Sequence, residues 1–344
     1  AQFGDDRNPV IGPVLALSLG DPAGIGPETI AKAWRELAAT GPAFMVVGDA
    51  ELLAKTGAAV QAVSNTAEAA TVFAKALPVL DRPLGHAVTP GKASSAHAKA
   101  VIGWIEQAVN LVVSGQASGL VTAPIAKAPL YEAGFKFPGH TEFLADLTAH
   151  LPMTTPRGPV MMLTSVDLRA VLTTVHLPLA KVAQALTIEA IVHTAKVTAA
   201  ALTQDFGIER PRLALAGLNP HAGEGGAIGD EEIRILAPAA AQLRAEGIDC
   251  TDPRPADTLF HAEARQTYDA VVCLYHDQAL IPVKMLDFWG GVNVSLGLPI
   301  VRTSPDHGTG FDIAGKGIAR ADSLIAAIRL AEQITHSRAK ALKP

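Results

Sequence analysis

A chain of 344 residues is longer than the ~250–300 at which a single hydrophobic core stops growing, so two lobes are expected. With 49% hydrophobic and 5% aromatic residues and a formal charge of −5, the composition suits close helix-on-sheet packing and argues against a non-specific nucleic-acid binder, which would show a basic patch. No apolar run nears the ~18 residues of a membrane span, residues 1–8 hold no apolar leader core, and Cys250 and Cys273 belong to no CxxC pair, so a soluble, cytoplasmic protein with free structural thiols is expected.

Short apolar runs alternate with longer helical patterns, the mark of βαβ units and a mainly parallel sheet, hence an α/β fold. A first strand is expected at 14–19. The turn GDPAGIGPE at 20–28 follows it and opens a helix, with Pro27 in the first turn and Glu28 at the positive end of the dipole. That turn matches neither GxGxxG nor a Walker loop; a tight βα turn and a ligand-facing loop remain equally good readings. A second strand is expected at 44–47, an amphipathic helix near 94–113 and a short strand at 119–122. PGHTE at 138–142 starts another helix, with Thr141 as the expected N-cap. His140 beside such a terminus makes either an ordinary cap or an anion site.

Strands at 160–163 and 169–175 follow, then a helical stretch at 179–202, buried strands at 212–218 and 270–275, and a closing helix at 322–334. Three histidines stand just past the carboxyl ends of three of these strands: His176, His221 and His276. Ligands in open α/β sheets bind at that edge. Three imidazoles there, with Asp257 and Asp277 near in sequence, could hold a divalent metal. Singly, each histidine is as well explained as a turn residue. Lys284, Asn293 and Arg302 supply donors suited to a phosphate or carboxylate, and 303–317 is a Gly/Pro-rich polar segment ahead of the last helix.

Eight ordered motifs, GDPAGIGPE at 20–28, GHTEF at 139–143, TTVHLPL at 173–179, LNPHAGEGG at 218–226, PADTLF at 255–260, YHDQ at 275–278, GVNVSLGLP at 291–299 and RTSPDHGT at 302–309, together resemble the 4-hydroxythreonine-4-phosphate dehydrogenase family of vitamin B6 synthesis. The resemblance implies an isocitrate/isopropylmalate dehydrogenase-like fold of two α/β/α lobes around a cleft, placed at 1–135 plus 305–344 and at 136–304. It also implies a homodimer, with one divalent metal (Zn, Mg or Co) per site held by His176, His221 and His276 across the subunit interface. His140, Thr141, Lys284, Asn293 and Arg302 match substrate-binding positions. HGTGFDIAGKGIA at 307–319 resembles the adenosine-binding loop of β-decarboxylating dehydrogenases. On that likeness His307, Gly308, Thr309 and Asp312 would hold the cofactor. Asp312 would face the ribose hydroxyls and select NAD over NADP. Gly310 replaces a common Ala and would loosen this loop.

The implied reaction is NAD- and metal-dependent oxidation of a small phosphorylated hydroxy amino acid at C3, followed by loss of CO₂ from the 3-oxo acid. Lys284 and Asp257 are the candidates for the general base. Rival readings are oxidation of threonate or erythronate 4-phosphate or of an aromatic cis-dihydrodiol, and, further off, a metal-dependent hydrolase or aldolase. No nucleic-acid or membrane partner is expected.

Overall fold

The computed structural model describes residues 14–341; the reading of residues 1–8 lies outside them. The chain forms two compact units. One runs to Ala133 and regains Thr309–Ala319; the other is Gly134–Gly308 with the chain from Arg320 onward. The expected lobes gave all of 305–344 to the first unit, yet only the loop 309–319 returns to it. The closing helix stays with the second unit because its apolar stripe (Leu324, Ile328, Ala331) is buried there.

In the first unit the order is β1 (Leu15–Ser18), α1 (Gly26–Leu37), β2 (Phe44–Gly48), α2 (Ala50–Ala54), β3 (Val60–Ala62), α3 (Thr66–Val72), β4 (Leu77–Asp81), α4 (Ala98–Val113), β5 (Leu120–Thr122) and α5 (Lys127–Glu132). The strands lie in the order β3-β4-β2-β1-β5 and every pairing is parallel. β1 and β2 are buried throughout, which is why they read as unbroken apolar runs. β3 and β4 escaped the sequence reading; β3 is three residues long and largely exposed, with no alternation to find.

The second unit runs α6 (His140–Leu147), β6 (Val160–Ser165), β7 (Leu168–Leu172), α7 (Leu179–Ala185), α8 (Ile188–Phe206), β8 (Arg212–Leu215), α9 (Ala237–Ala245), β9 (Asp249–Cys250), α10 (Ala262–Arg265), β10 (Ala270–Cys273), α11 (His276–Leu286), β11 (Val292–Leu296), β12 (Arg302–Pro305) and α12 (Asp322–Ala341). Its strand order is β12-β11-β6-β7-β10-β8-β9. The sheet is mixed: β12–β11, β11–β6 and β6–β7 are antiparallel, whereas β7, β10, β8 and β9 pair in parallel. The stretch expected as one helix over 179–202 is two helices. Leu186 leaves the helical region and Thr187 caps α8, its side chain accepting from the Ala190 N–H at 3.0 Å. Among the described residues no single helix is long and apolar enough to cross a membrane.

One apolar core cluster in this unit draws on β6, β7, β8, β10 and α11, including Leu163, Leu172, Val271, Cys273 and Val283. Cys250 and Cys273 are buried free thiols, and burial pushes both up, Cys250 to about 12. They are structural.

Candidate active site

The three histidine-bearing loops leave adjacent strands. β7, β10 and β8 are neighbours running in parallel, so their carboxyl ends share one edge, as the sequence predicts. Two of the loops are laced together. The Thr173 N–H donates to Cys273 O at 2.9 Å, and the Thr174 hydroxyl donates to Leu274 O at 2.6 Å. Those bonds set the His176 and His276 rings 5.9 Å apart, centroid to centroid. Gln278, overlooked in the sequence though it sits in YHDQ, fixes the third direction. Its Oε1 accepts from the Leu274 N–H and its Nε2 donates to Gly217 O, both at 2.8 Å. His276 Nδ1 lies 2.7 Å from Asp277 Oδ1. A carboxylate there accepts a hydrogen bond from Nδ1–H and leaves Nε2 with its lone pair, the arrangement usual for a metal-binding imidazole.

His221 follows β8 on a turn of unusual conformation. His221, Ala222, Gly223, Glu224 and Gly225 all have left-handed backbones, with φ of 54°, 52°, 82°, 46° and 65°. For the three residues that carry a Cβ this costs about 1–2 kcal/mol each, and strain of that kind collects at functional sites. The sequence places His221 just past the strand at 212–218 and gives no sign of this conformation. Among the described residues no three His, Cys, Asp or Glu side chains gather closely enough to hold a metal ion. Of the three histidines, the rings of His176 and His276 face each other as a pair.

Asp257 lies exposed in the turn Ala256–Thr258, which packs against the His221 turn. The other base candidate, Lys284, makes a 3.1 Å ion pair with Asp306 and sits 5.2 Å from the centroid of the Phe288 ring.

Two of the expected substrate residues, Arg302 and Thr141, are joined directly. Arg302, only 3% exposed, opens β12 and donates through Nη1 to Ser295 Oγ at 2.8 Å and to Thr141 Oγ1 at 3.3 Å. Burial pushes its guanidinium down to about 10, with Glu142 pulling the other way. Asn293 and Ser295 share a face of β11 by the two-residue period of a strand, and the Asn293 Oδ1 is buried without a hydrogen-bond partner among the described residues. Ser295 was missed; recognising β11 as a strand would have exposed it two residues from Asn293. Thr141 is not the N-cap. Gly139 holds that position with extended backbone, His140 begins α6, and the Thr141 hydroxyl is turned to Arg302 instead.

In the first unit the segment 309–319 lies on the β1–α1 turn. The Ile25 N–H donates to Thr309 O at 2.8 Å. Lys32 Nζ donates to Gly317 O at 3.0 Å, Ala319 O at 2.6 Å and Glu28 Oε1 at 3.0 Å, and that same Oε1 accepts from the Ala319 N–H at 3.0 Å. Gly310 tightens this loop rather than loosening it. Its φ is +57°, and a Cβ there would stand 3.0 Å from the Ile25 side chain. Asp312 is exposed on the loop. A cavity of about 510 Å³ beside it is lined by Lys32, Pro90, Gly315 and Gly317 among others, but by neither Thr309 nor Asp312. In the second unit His307 Nδ1 bonds Gly308 O at 2.9 Å, and its Nε2 is buried with no partner. Facing a carbonyl, Nδ1 carries the proton and Nε2 is left as an acceptor.

The family model of pyridoxal phosphate biosynthetic protein PdxA matches residues 41–331. A 4-hydroxythreonine-4-phosphate dehydrogenase of Caulobacter vibrioides is 66% identical, over 94% of this chain and 98% of the relative. The crystal structure of a 4-hydroxythreonine-4-phosphate dehydrogenase from Klebsiella pneumoniae superposes with a TM-score of 0.82 at 39% identity, covering 94% of this chain and all of that one. A terephthalate 1,2-cis-dihydrodiol dehydrogenase from Burkholderia xenovorans reaches 0.63 at 29% identity, covering 94% and 98%.

Proposed function

The chain belongs to the PdxA family of pyridoxal phosphate biosynthetic proteins, and from that premise we propose the reaction and the roles of its residues. The substrate is 4-phosphooxy-L-threonine. Oxidation at C3 gives 2-amino-3-oxo-4-(phosphooxy)butanoate, which loses CO₂ to form 3-amino-2-oxopropyl phosphate for pyridoxine 5′-phosphate synthesis. The observation that carries this reading is the buried guanidinium of Arg302 joined to the Thr141 hydroxyl, 161 residues away in sequence.

Arg302, Thr141 and Lys284 bind and orient the anionic ends of the substrate, phosphate and carboxylate, with His140 beside them at the start of α6. The unpartnered Asn293 Oδ1 accepts from the substrate's amino or hydroxyl group. When bound, the divalent cation supplies Lewis acidity at the alcohol, and the nicotinamide ring of NAD supplies a hydride acceptor. The donor chemistry fits such a cation: His176 and His276 stand as a pair, and Asp277 leaves the Nε2 of His276 available. His221 completes the set from a second copy of the chain. Exposed apolar side chains on and just beyond α11, Ile281, Met285 and Phe288 (66%, 84% and 60% exposed), support such a pairing. Lys284 or Asp257 takes the alcohol proton. In the oxo acid the ketone accepts the electron pair released as the carboxyl carbon departs as CO₂.

His307, Gly308, Thr309 and Asp312 take the adenosine end of the cofactor. The free acceptor at His307 Nε2 suits the adenine amino group, and a carboxylate at Asp312 favours ribose hydroxyls over a 2′-phosphate. The test is NADH formation by purified protein, metal-stripped and then reloaded, on 4-phosphooxy-L-threonine, threonate and erythronate 4-phosphates and a cis-dihydrodiol. Turnover only of the phosphorylated amino acid, and only with metal restored, is expected; preference for the dihydrodiol overturns the assignment.

A further inference from the structure

We propose that Glu232 is the positioning residue for His221: its buried carboxylate is the post around which the left-handed turn is wound. Glu232 is 5% exposed. Its Oε1 accepts from two consecutive backbone N–H groups, Leu218 at 2.8 Å and Asn219 at 2.7 Å, and its Oε2 accepts from Asn219 Nδ2 at 3.0 Å. Asn219 Nδ2 also donates to Glu231 Oε2 at 2.6 Å. Among the described residues no side-chain cation shares in this set; the donors are amides. These bonds clamp the two residues through which β8 feeds Pro220 and His221. The turn then closes over the same carboxylate, since a Cβ on Gly223 would lie 2.8 Å from Glu232 Oε2.

A second irregularity meets the first. Glu232 begins a five-residue π-helical stretch, Glu232–Leu236, ahead of α9, and π turns recur at functional sites. A strained turn persists only where its surroundings over-determine it, and here one acidic side chain supplies three of the fixing contacts. A surface loop needing only closure has no use for a buried acid beneath it. A histidine that must meet its target in one orientation does. This inference rests on the reading of His221 as a metal ligand.

The test is Co²⁺ titration of the metal-stripped full-length protein, followed by its visible absorption, with thermal melting in parallel. Glu232→Gln keeps the size but presents an amide N–H₂ to donors. It is expected to weaken Co²⁺ binding about 10–100-fold, the usual cost of losing a supporting contact, while His221→Ala weakens it at least as much. The double variant is expected to bind no more weakly than His221→Ala alone, because both changes act through one ligand. Gly223→Ala leaves Glu232 intact, adds a Cβ between turn and carboxylate, and is expected to reproduce the loss should Glu232→Gln fail to fold. A lower melting temperature with unchanged Co²⁺ affinity in both Glu232→Gln and Gly223→Ala overturns the proposal by making the carboxylate purely structural. Unchanged affinity in His221→Ala overturns the ligand reading itself and this proposal with it.

Discussion

Arg302→Met separates function from stability at one buried residue. Burial holds the guanidinium at about 10, two to three powers of ten below the ordinary arginine range. At ~1.4 kcal/mol for each power of ten, keeping it charged in the folded protein costs about 3 kcal/mol. The hydrogen bonds to Ser295 and Thr141 return part of that, at roughly 1.5–3 kcal/mol for a bond to a charged group. Met fills the volume, removes the charge and leaves two small hydroxyls to find other partners. The folding terms therefore nearly cancel, and the variant is expected to lie within about 1–2 kcal/mol of the parent, a melting shift of only a few degrees.

Substrate binding has no such cancellation. An anion seated against Arg302 loses a desolvated charge-assisted contact, about 2–5 kcal/mol by analogy with buried pairs at interfaces. That predicts a loss of about 30- to 5,000-fold in kcat/KM, most of it in KM, because the contact is made in ground and transition states alike. Steady-state kinetics on 4-phosphooxy-L-threonine and melting with and without inorganic phosphate measure both quantities. The parent is expected to gain stability from phosphate by mass action, and the variant much less. A variant that melts far lower yet keeps its KM and its response to phosphate refutes the reasoning and makes Arg302 a structural residue.

Asp21 is buried at the β1–α1 turn; burial raises its carboxyl above the usual range, with the Ala23 N–H and His97 only partly opposing. The folded state thus holds that proton more tightly than the unfolded chain, and the stability this confers in acid is lost as pH rises through the folded value. Asp21→Asn is accordingly expected to melt higher than the parent at neutral pH, with the gap closing below about pH 4. Lys32→Met removes both bonds that anchor Gly317 O and Ala319 O, so hydrogen exchange over 309–319 is expected to quicken and affinity for the proposed NAD cofactor to fall by up to about 5- to 150-fold, at ~0.5–1.5 kcal/mol for each lost bond; protection unchanged in that loop argues against the anchor. Asp205, 2% exposed, takes two bonds from Arg338 and ties α12 to α8. Asp205→Ala leaves a partly buried guanidinium without its carboxylate and with only Leu298 O as acceptor, and is expected to cost about 2–4 kcal/mol in denaturant melts, with kcat/KM unaltered in the folded fraction.

Position along the chain was legible in the sequence where burial made it so, and illegible where contacts from afar decide it. β1, β2, β8 and β10 are buried on both faces and read as apolar runs. Their order in the sheet needs pairing information that no local pattern carries, yet the three histidines were placed on one edge simply because each follows such a run. β11 and β12 went unread because polar side chains interrupt them: Asn293, Ser295 and Arg302, two of them proposed to meet substrate, break the apolar pattern that marks a strand. Thr141 misled for the same reason. Its type suits a cap, but Gly139 can take that place and Arg302 needs the hydroxyl. The turn at 221–226 was least legible of all, since nothing local requires His221, Ala222 and Glu224 to turn left-handed. What holds them is Glu232, whose own helix begins with a π turn. Propensity reasoning fails here because the local cost is borne for a distant gain, the aim of one imidazole, and such failures cluster where a chain does chemistry.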